Sequence, residues 1–241
     1  FVDTLDTAFN LDVKGFKQRS VSSPNNEIII KGPQEAFVES IRVNTSMLRR
    51  ATNTENLVIE NVLVGKLSKT PCAICYLKNI ANSDLVAEVR YRLNNLEIDT
   101  LLSTGQLEQL ICEDNKYNIP QVLSTERPDK AAKNLYAGRV VILVNGNPYC
   151  IILPATIVDF ISSPEDTNLK PIFANFLKIL RFLAMGITLL LPSIYIAIVD
   201  FHQELLPTEL LFSLWASREN VPFPIIFELL VMEISFELIR E

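Results

Sequence analysis

Between Phe182 and Val199 the sequence reads FLAMGITLLLPSIYIAIV, a run of about 18 residues without a charge and long enough to cross a bilayer. No other stretch limits the fold as strongly. Everything before it reads as a polar α/β domain, so the chain is read as a polar domain attached to a membrane part. That arrangement suits a receptor or channel subunit better than a soluble enzyme. The rival reading of the run is a buried core helix. Pro192 lies inside it, and in lipid such a proline kinks a helix rather than ending it. Lys170, Lys178 and Arg181 precede the run and Asp200 follows it. Basic flanks stay on the cytoplasmic side, so the N-terminal domain is expected there.

The 241 residues suffice for one or two domains. Hydrophobic residues make up 49% and the mean hydropathy is +0.23, with the excess lying after residue 170. The net charge of -6, without any basic block, argues against nucleic acid as a partner. Four scattered cysteines and no N-terminal signal peptide fit a reducing compartment.

The polar part contains an internal echo. Residues 1–24 and 143–164 both read as strand, turn, strand, a short polar stretch and Ser-Ser-Pro. The second copy carries Asn145-Gly146, a hairpin signal. It is preceded by a helix with Pro128 near its start and Gly138 at its end, then by a strand over 139–144. Two related mixed α/β subdomains follow from this, the first truncated because the chain begins inside its hairpin; chance similarity of two hairpins is the alternative. Between the copies, 27–31 reads as a short strand. Gly32-Pro33 then opens a helix to about Arg50, with Phe37, Ile41 and Leu48 on one face. Strands are expected at 57–64, 72–77 and near 121–124. One helix is capped near Asn82, with Leu85, Val89, Leu93 and Leu96 as its apolar face and Glu88–Arg92 as an i,i+4 pair. A shorter helix covers Thr104–Cys112.

The resulting division is 1–52, the rest of the first subdomain with its connecting helix; 53–163, the second subdomain; 164–175, a linker; 176–200, a transmembrane helix; 201–224, an amphipathic interfacial segment; and 225–241, the start of a second membrane helix. The fold class is thus α/β, followed by transmembrane helices, in a chain expected to be a fragment of a longer protein.

Few residues suggest chemistry. Cys72-Ala73-Ile74-Cys75 matches C-x-x-C, but within a strand positions i and i+3 face opposite sides, so buried, inert thiols are expected. His202 is the sole histidine and abuts the apolar run, which favours interfacial hydrogen bonding over catalysis. No phosphate-cradling glycine motif occurs, no cofactor is implied, and without a nucleophile–base pair the chain does not read as an enzyme. Arg42, Arg49 and Arg50 fit an anion contact, a subunit contact, or a solvated face paired with Glu35 and Glu39. Glu233 and Glu237 form one stripe of an apolar helix, with Glu228 well around from them. Such carboxylates line an ion path or, in an interfacial helix, face water. No salt bridge within the helix is expected for Glu233 or Glu237.

Six segments in order resemble the A subunit of the GerA family of spore germinant receptors. They are Gly32–Arg50 (GPQEAFVESIRVNTSMLRR), Thr125–Ala132 (TERPDKAA), Ser163–Asp166, Phe201–Leu211 (FHQELLPTELL), VPFP at 221–224, and Glu228–Glu241. The motif residues matched include Gly32, Pro33, Glu35, His202, Gln203, Glu204 and Pro207. The resemblance implies a cytoplasmic two-subdomain α/β part and a multi-helix membrane part in the inner membrane of the spore. It also implies association with B and C subunits, contact with lipid and homo-oligomer formation. Nutrient germinants would bind mainly through the B subunit, and the complex would release ions. A membrane-tethered small-molecule-binding module and the related stage V sporulation protein AF are the alternatives.

Overall fold

A computed structural model describes residues 20–29, 31–112, 120–167, 169–218 and 223–240. The chain divides into two compact units, Phe1–Asn168 and Leu169–Glu241.

The first unit is built on five strands, β1 (Leu57–Val64), β2 (Thr70–Leu77), β3 (Leu123–Thr125), β4 (Val140–Val144) and β5 (Cys150–Leu153). Their order across the sheet is β1-β2-β4-β5-β3, and every pairing is antiparallel. Side chains alternate between faces along a strand, and here both faces are covered. Cys72, Ile74, Val140, Ile142, Val144 and Ile151 meet α2 (Ser83–Asn94) and α3 (Thr104–Ile111) through Val86, Val89, Leu93, Leu107 and Ile111. Ala73, Cys75, Leu77, Val141, Leu143 and Ile152 meet α1 (Ile41–Thr52) and α4 (Pro128–Tyr136) through Met47, Leu48, Ala131 and Leu135. The central strand β4, Val-Val-Ile-Leu-Val, therefore carries no polar residue and is buried throughout.

Local signals explain most boundaries. Asn82 caps α2 by accepting the Asp84 N–H at 2.9 Å, and Ser103 caps α3 by accepting the Gln106 N–H at 3.1 Å. Arg92 pairs with Glu88 at 2.6 Å and also donates to the Ile111 carbonyl at the end of α3, at 2.9 Å. The inward face of α2 is centred on Val86 rather than Leu85, which is half-buried. Pro128 starts α4, and Gly138 ends its turn at φ +83°, where an added Cβ would lie 3.1 Å from the Ile80 carbonyl oxygen. Asn145-Gly146 does lie between β4 and β5, but not as a two-residue turn, since Leu143 already pairs with Cys150. The turn amides bond elsewhere: Asn145 N–H to the Pro71 carbonyl at 3.0 Å, Gly146 N–H to that of Glu39 at 2.7 Å.

The segment before α1 departs from expectation. The described part of 27–31 is not a strand, and the helix opens at Ile41, not after Pro33. Backbone donors here are taken by distant groups. Asn26 and Glu27 N–H donate to the Glu126 carboxylate at 2.7 and 3.0 Å, and Phe37 N–H donates to the Glu126 carbonyl at 2.8 Å. Buried Asn44 accepts the Val38 N–H at 2.8 Å and donates back to the Val38 carbonyl. Residues 33–38 therefore form neither helix nor strand, and Phe37 reaches the core from that irregular strip. Gly32, at φ +137°, still needs to be glycine, but for a bend rather than a strand-to-helix turn. The first copy of the internal echo lies mostly outside the described residues.

The second unit contains α6 (Pro171–Ile196), α7 (Thr208–Arg218) and α8 (Ile225–Arg240). Helix α6 passes through Pro192 unbroken and continues as a π turn over Ala197–Phe201. The whole stretch Pro171–Phe201 has mean hydropathy 2.3 over its most apolar window, and only 6% of that window is buried. A core helix of a soluble protein would be covered, so the exposure favours lipid as its surroundings. The helix starts at Pro171, before the 176–200 span read from sequence, and carries Lys178 and Arg181 ahead of the charge-free run.

Candidate functional site

Two of the motif segments meet in the first unit. The strand-to-helix junction from β3 to α4, Thr125-Glu126-Arg127-Pro128-Asp129-Lys130, grips the segment 26–37. Arg127 is 1% exposed, a burial that arginine tolerates only with partners. Its guanidinium donates to the Glu27 carbonyl at 3.2 Å, to the Pro33 carbonyl at 3.3 Å, and to both Asp129 carboxylate oxygens at 3.0 and 2.6 Å. Lys130 pairs with Glu27 at 2.6 Å, and Thr125 donates its hydroxyl to the same carboxylate. The clamp thus joins Gly32-Pro33 to TERPDKAA across about a hundred residues of chain. Sequence reading named both segments but not Arg127, Glu126, Glu27 or Lys130. The available signal was a run of charges beside a proline in an otherwise apolar strand–helix junction.

The arginines of α1 separate on the surface. All three are exposed, and Arg50 forms an ion pair with Glu35. Glu35 and Arg50, with Pro33, Pro128, Asp129 and Tyr136, border a groove of about 540 Å³ beside the clamp. A second polar cluster was not foreseen. Glu60 on β1 accepts from the Tyr76 hydroxyl at 2.6 Å and from Arg90 at 2.8 and 2.9 Å. Partial burial would raise its carboxyl, but the Tyr76 and Arg90 hydrogen bonds and the Arg90 charge outweigh this and hold it below the usual range.

Cys72 and Cys75 lie on opposite faces of β2, in the two separate cores, as period-two alternation requires. Burial pushes each thiol up to about 12, and that of Cys150 higher still. All four cysteines are free thiols.

In the second unit the motif Phe201–Leu211 closes the end of the apolar helix. His202 Nδ1 lies 3.1 Å from the Ala197 carbonyl oxygen, and the Gln203 side chain donates to the Val199 carbonyl at 2.9 Å. The last carbonyls of a helix lack intrahelical partners, and these side chains supply them. Glu204 is exposed, and the Pro207 carbonyl accepts the Leu210 and Leu211 amides in the first turn of α7. On α8, Glu228, Glu233 and Glu237 are all exposed. Against the sequence expectation, Glu237 holds a salt bridge within the helix, to Arg240 at 2.7 Å. An i,i+3 spacing allows this where a search by fours passes over it.

A sheet covered by helices on both faces, followed in the chain by a long exposed apolar helix, points to an α/β protein associated with a membrane. The whole chain, residues 1–241, matches the family described as Bacillus/Clostridium GerA spore germination protein, and it belongs to that family. It is 42% identical over 242 residues to Spore germination protein A1 of Bacillus subtilis (strain 168), covering 100% of this chain and 50% of the relative. It is 44% identical over 231 residues to Spore germination protein B1 of the same organism, covering 95% and 48%. The chain spans about half the length of the curated relatives it matches. Among solved structures, the N-terminal domain of the A subunit of the Bacillus megaterium spore germinant receptor GerK3 is 42% identical, with a TM-score of 0.42, over 51% of this chain and 97% of that one.

Proposed function

We propose that this chain is part of the A subunit of a nutrient germinant receptor and has no enzymatic activity. Its work is coupling: nutrient binding in a complex with B and C subunits shifts a closed–open equilibrium that releases ions through the spore inner membrane. A ligand drives such a shift only through different affinities for the two states. The observation that carries this reading is the pairing, in a GerA-family chain, of a helix-covered sheet unit with an exposed apolar helix of membrane length. The sheet unit lies on the cytoplasmic side, following Lys170, Lys178 and Arg181, and assembles with other copies and subunits. Deleting the gene and triggering germination with defined nutrients tests the role. Loss of the response to one nutrient class supports it, and an unchanged response to every nutrient overturns it. Cysteine labels placed in the sheet unit test the orientation, since they resist an impermeant reagent in intact membranes if the unit is cytoplasmic.

The groove beside the clamp favours one other reading, a small-molecule site in a tethered binding module. Calorimetry with amino acids and sugars separates the two: heat that disappears with Arg50→Ala places binding in this groove.

A further inference from the structure

One helix of the sheet unit is built inside out. Helix α5 (Ile157–Ile161) is short, and its single charged residue points inward. The Asp159 carboxylate lies 2.8 Å from Arg139 and accepts the Thr156 N–H and hydroxyl at 2.7 and 2.6 Å. Burial would raise this carboxyl, but those hydrogen bonds and the Arg139 charge hold it low, so it is anchored as an anion. With Asp159 fixed inward, Ile157, Val158 and Phe160 must face away, and they are 69%, 61% and 49% exposed. Among the described residues of this unit, no other turn of helix presents three exposed large apolar side chains together.

The chain itself indicates what covers this face. Ile161 ends α5 and Pro171 opens the apolar helix, so the intervening residues allow a reach of at most about 30 Å. We infer that α5 is an interfacial anchor, its Ile157–Val158–Phe160 face seated in the headgroup and upper acyl region of a lipid bilayer. The inference rests on the reading of α6 as a membrane span. Asp159 and Arg139 orient the anchor; lipid covers it.

The test uses the full-length receptor in vesicles of phosphatidylglycerol and phosphatidylethanolamine, in a Cys112→Ser background. An environment-sensitive fluorophore is attached at Phe160→Cys, at Leu189→Cys in α6, or at Glu55→Cys on an exposed turn of the sheet unit. Nitroxide-bearing lipid should quench the probes at 160 and 189 several-fold more than the probe at 55, while aqueous iodide does the reverse. Ile157→Ser with Val158→Ser should leave the unfolding temperature unchanged, since both side chains are exposed, yet release the probe at 160 from lipid quenching. Lipid quenching at 189 with water-like behaviour at 160 overturns the inference and leaves the membrane span standing. A probe at 160 shielded from both quenchers overturns it in favour of a protein partner. No lipid quenching at 189 overturns the membrane reading and this inference with it.

Discussion

Replacing Arg127 by alanine tests the clamp most directly. The side chain is 1% exposed, and its guanidinium makes two bonds to Asp129 and one each to the carbonyls of Glu27 and Pro33. Removing one partner of a buried charged network costs about 3–5 kcal/mol. Asp129 keeps 34% of its side chain in water and can rehydrate, so the lower end applies, ~3 kcal/mol. What opens is the segment 26–37, whose Phe37 amide bonds to the Glu126 carbonyl. At about 1.4 kcal/mol per decade, amide exchange in a peptide covering that segment should accelerate by roughly a hundredfold. Hydrogen exchange with mass spectrometry on the detergent-solubilised chain reads this directly. Arg127→Lys should fall between wild type and alanine, because an ammonium keeps the charge but cannot fork across carboxylate and carbonyls. An acceleration of less than about tenfold would refute the reasoning. So would an Asp129→Asn variant that opens as far as Arg127→Ala.

Phe37 is fully buried, so Phe37→Ala should destabilise the sheet unit by about 3–5 kcal/mol in denaturant melts; an unchanged midpoint would show the ring to be dispensable. Cys72 and Cys75, held up to about 12, and the fully buried Cys150 should resist maleimide at neutral pH in the folded chain, with half-buried Cys112 reacting first in a mass-resolved time course. Glu60 has a depressed folded pKa, so its contribution is present above the unfolded value of about 4.3 and is lost as pH falls through the folded value. Glu60→Gln should accordingly lower the melting temperature at neutral pH and converge with wild type in acid. Glu233→Gln with Glu237→Gln should slow potassium release from nutrient-treated spores, or alter its selectivity, if the stripe lines an ion path. Wild-type efflux with normal protein levels would place these carboxylates in bulk water.

What was legible in the sequence was whatever depends on near neighbours. The alternation in Cys72–Leu77 placed its two cysteines on opposite faces, and the structure puts them in different cores. Asn82, Pro128 and Gly138 marked helix ends through their own backbone preferences. The charge-free run from Phe182 announced the long exposed helix. What failed was the stretch 27–40, where Gln34, Glu35 and Ala36 have good helix propensity. Its amides are claimed instead by Asn44 and by Glu126, the latter far along the chain, and a tertiary partner overrides a preference of a few tenths of a kcal/mol. The clamp was hidden for the same reason. Arg127 looks like a surface charge until the carbonyls of Glu27 and Pro33 are brought to it. The Glu237–Arg240 pair needed no distant partner and could have been read from its spacing.

The strand order has a consequence for biosynthesis. β3 is made before β4 and β5, yet among the described residues it sits at the sheet edge and pairs with β5 alone. β2 can pair with β1 at once, but its other edge waits for β4, and the buried arginine beside β3 cannot seal the segment before α1 until β3 is in place. On a ribosome, then, this unit does not fold strand by strand. The five-stranded sheet cannot be completed until Leu153 has emerged. The long apolar helix begins at Pro171, so completion of the sheet and emergence of that helix follow each other closely. A nascent chain held up between those points would present a completed sheet with its apolar helix still uncovered to the chaperones that meet it.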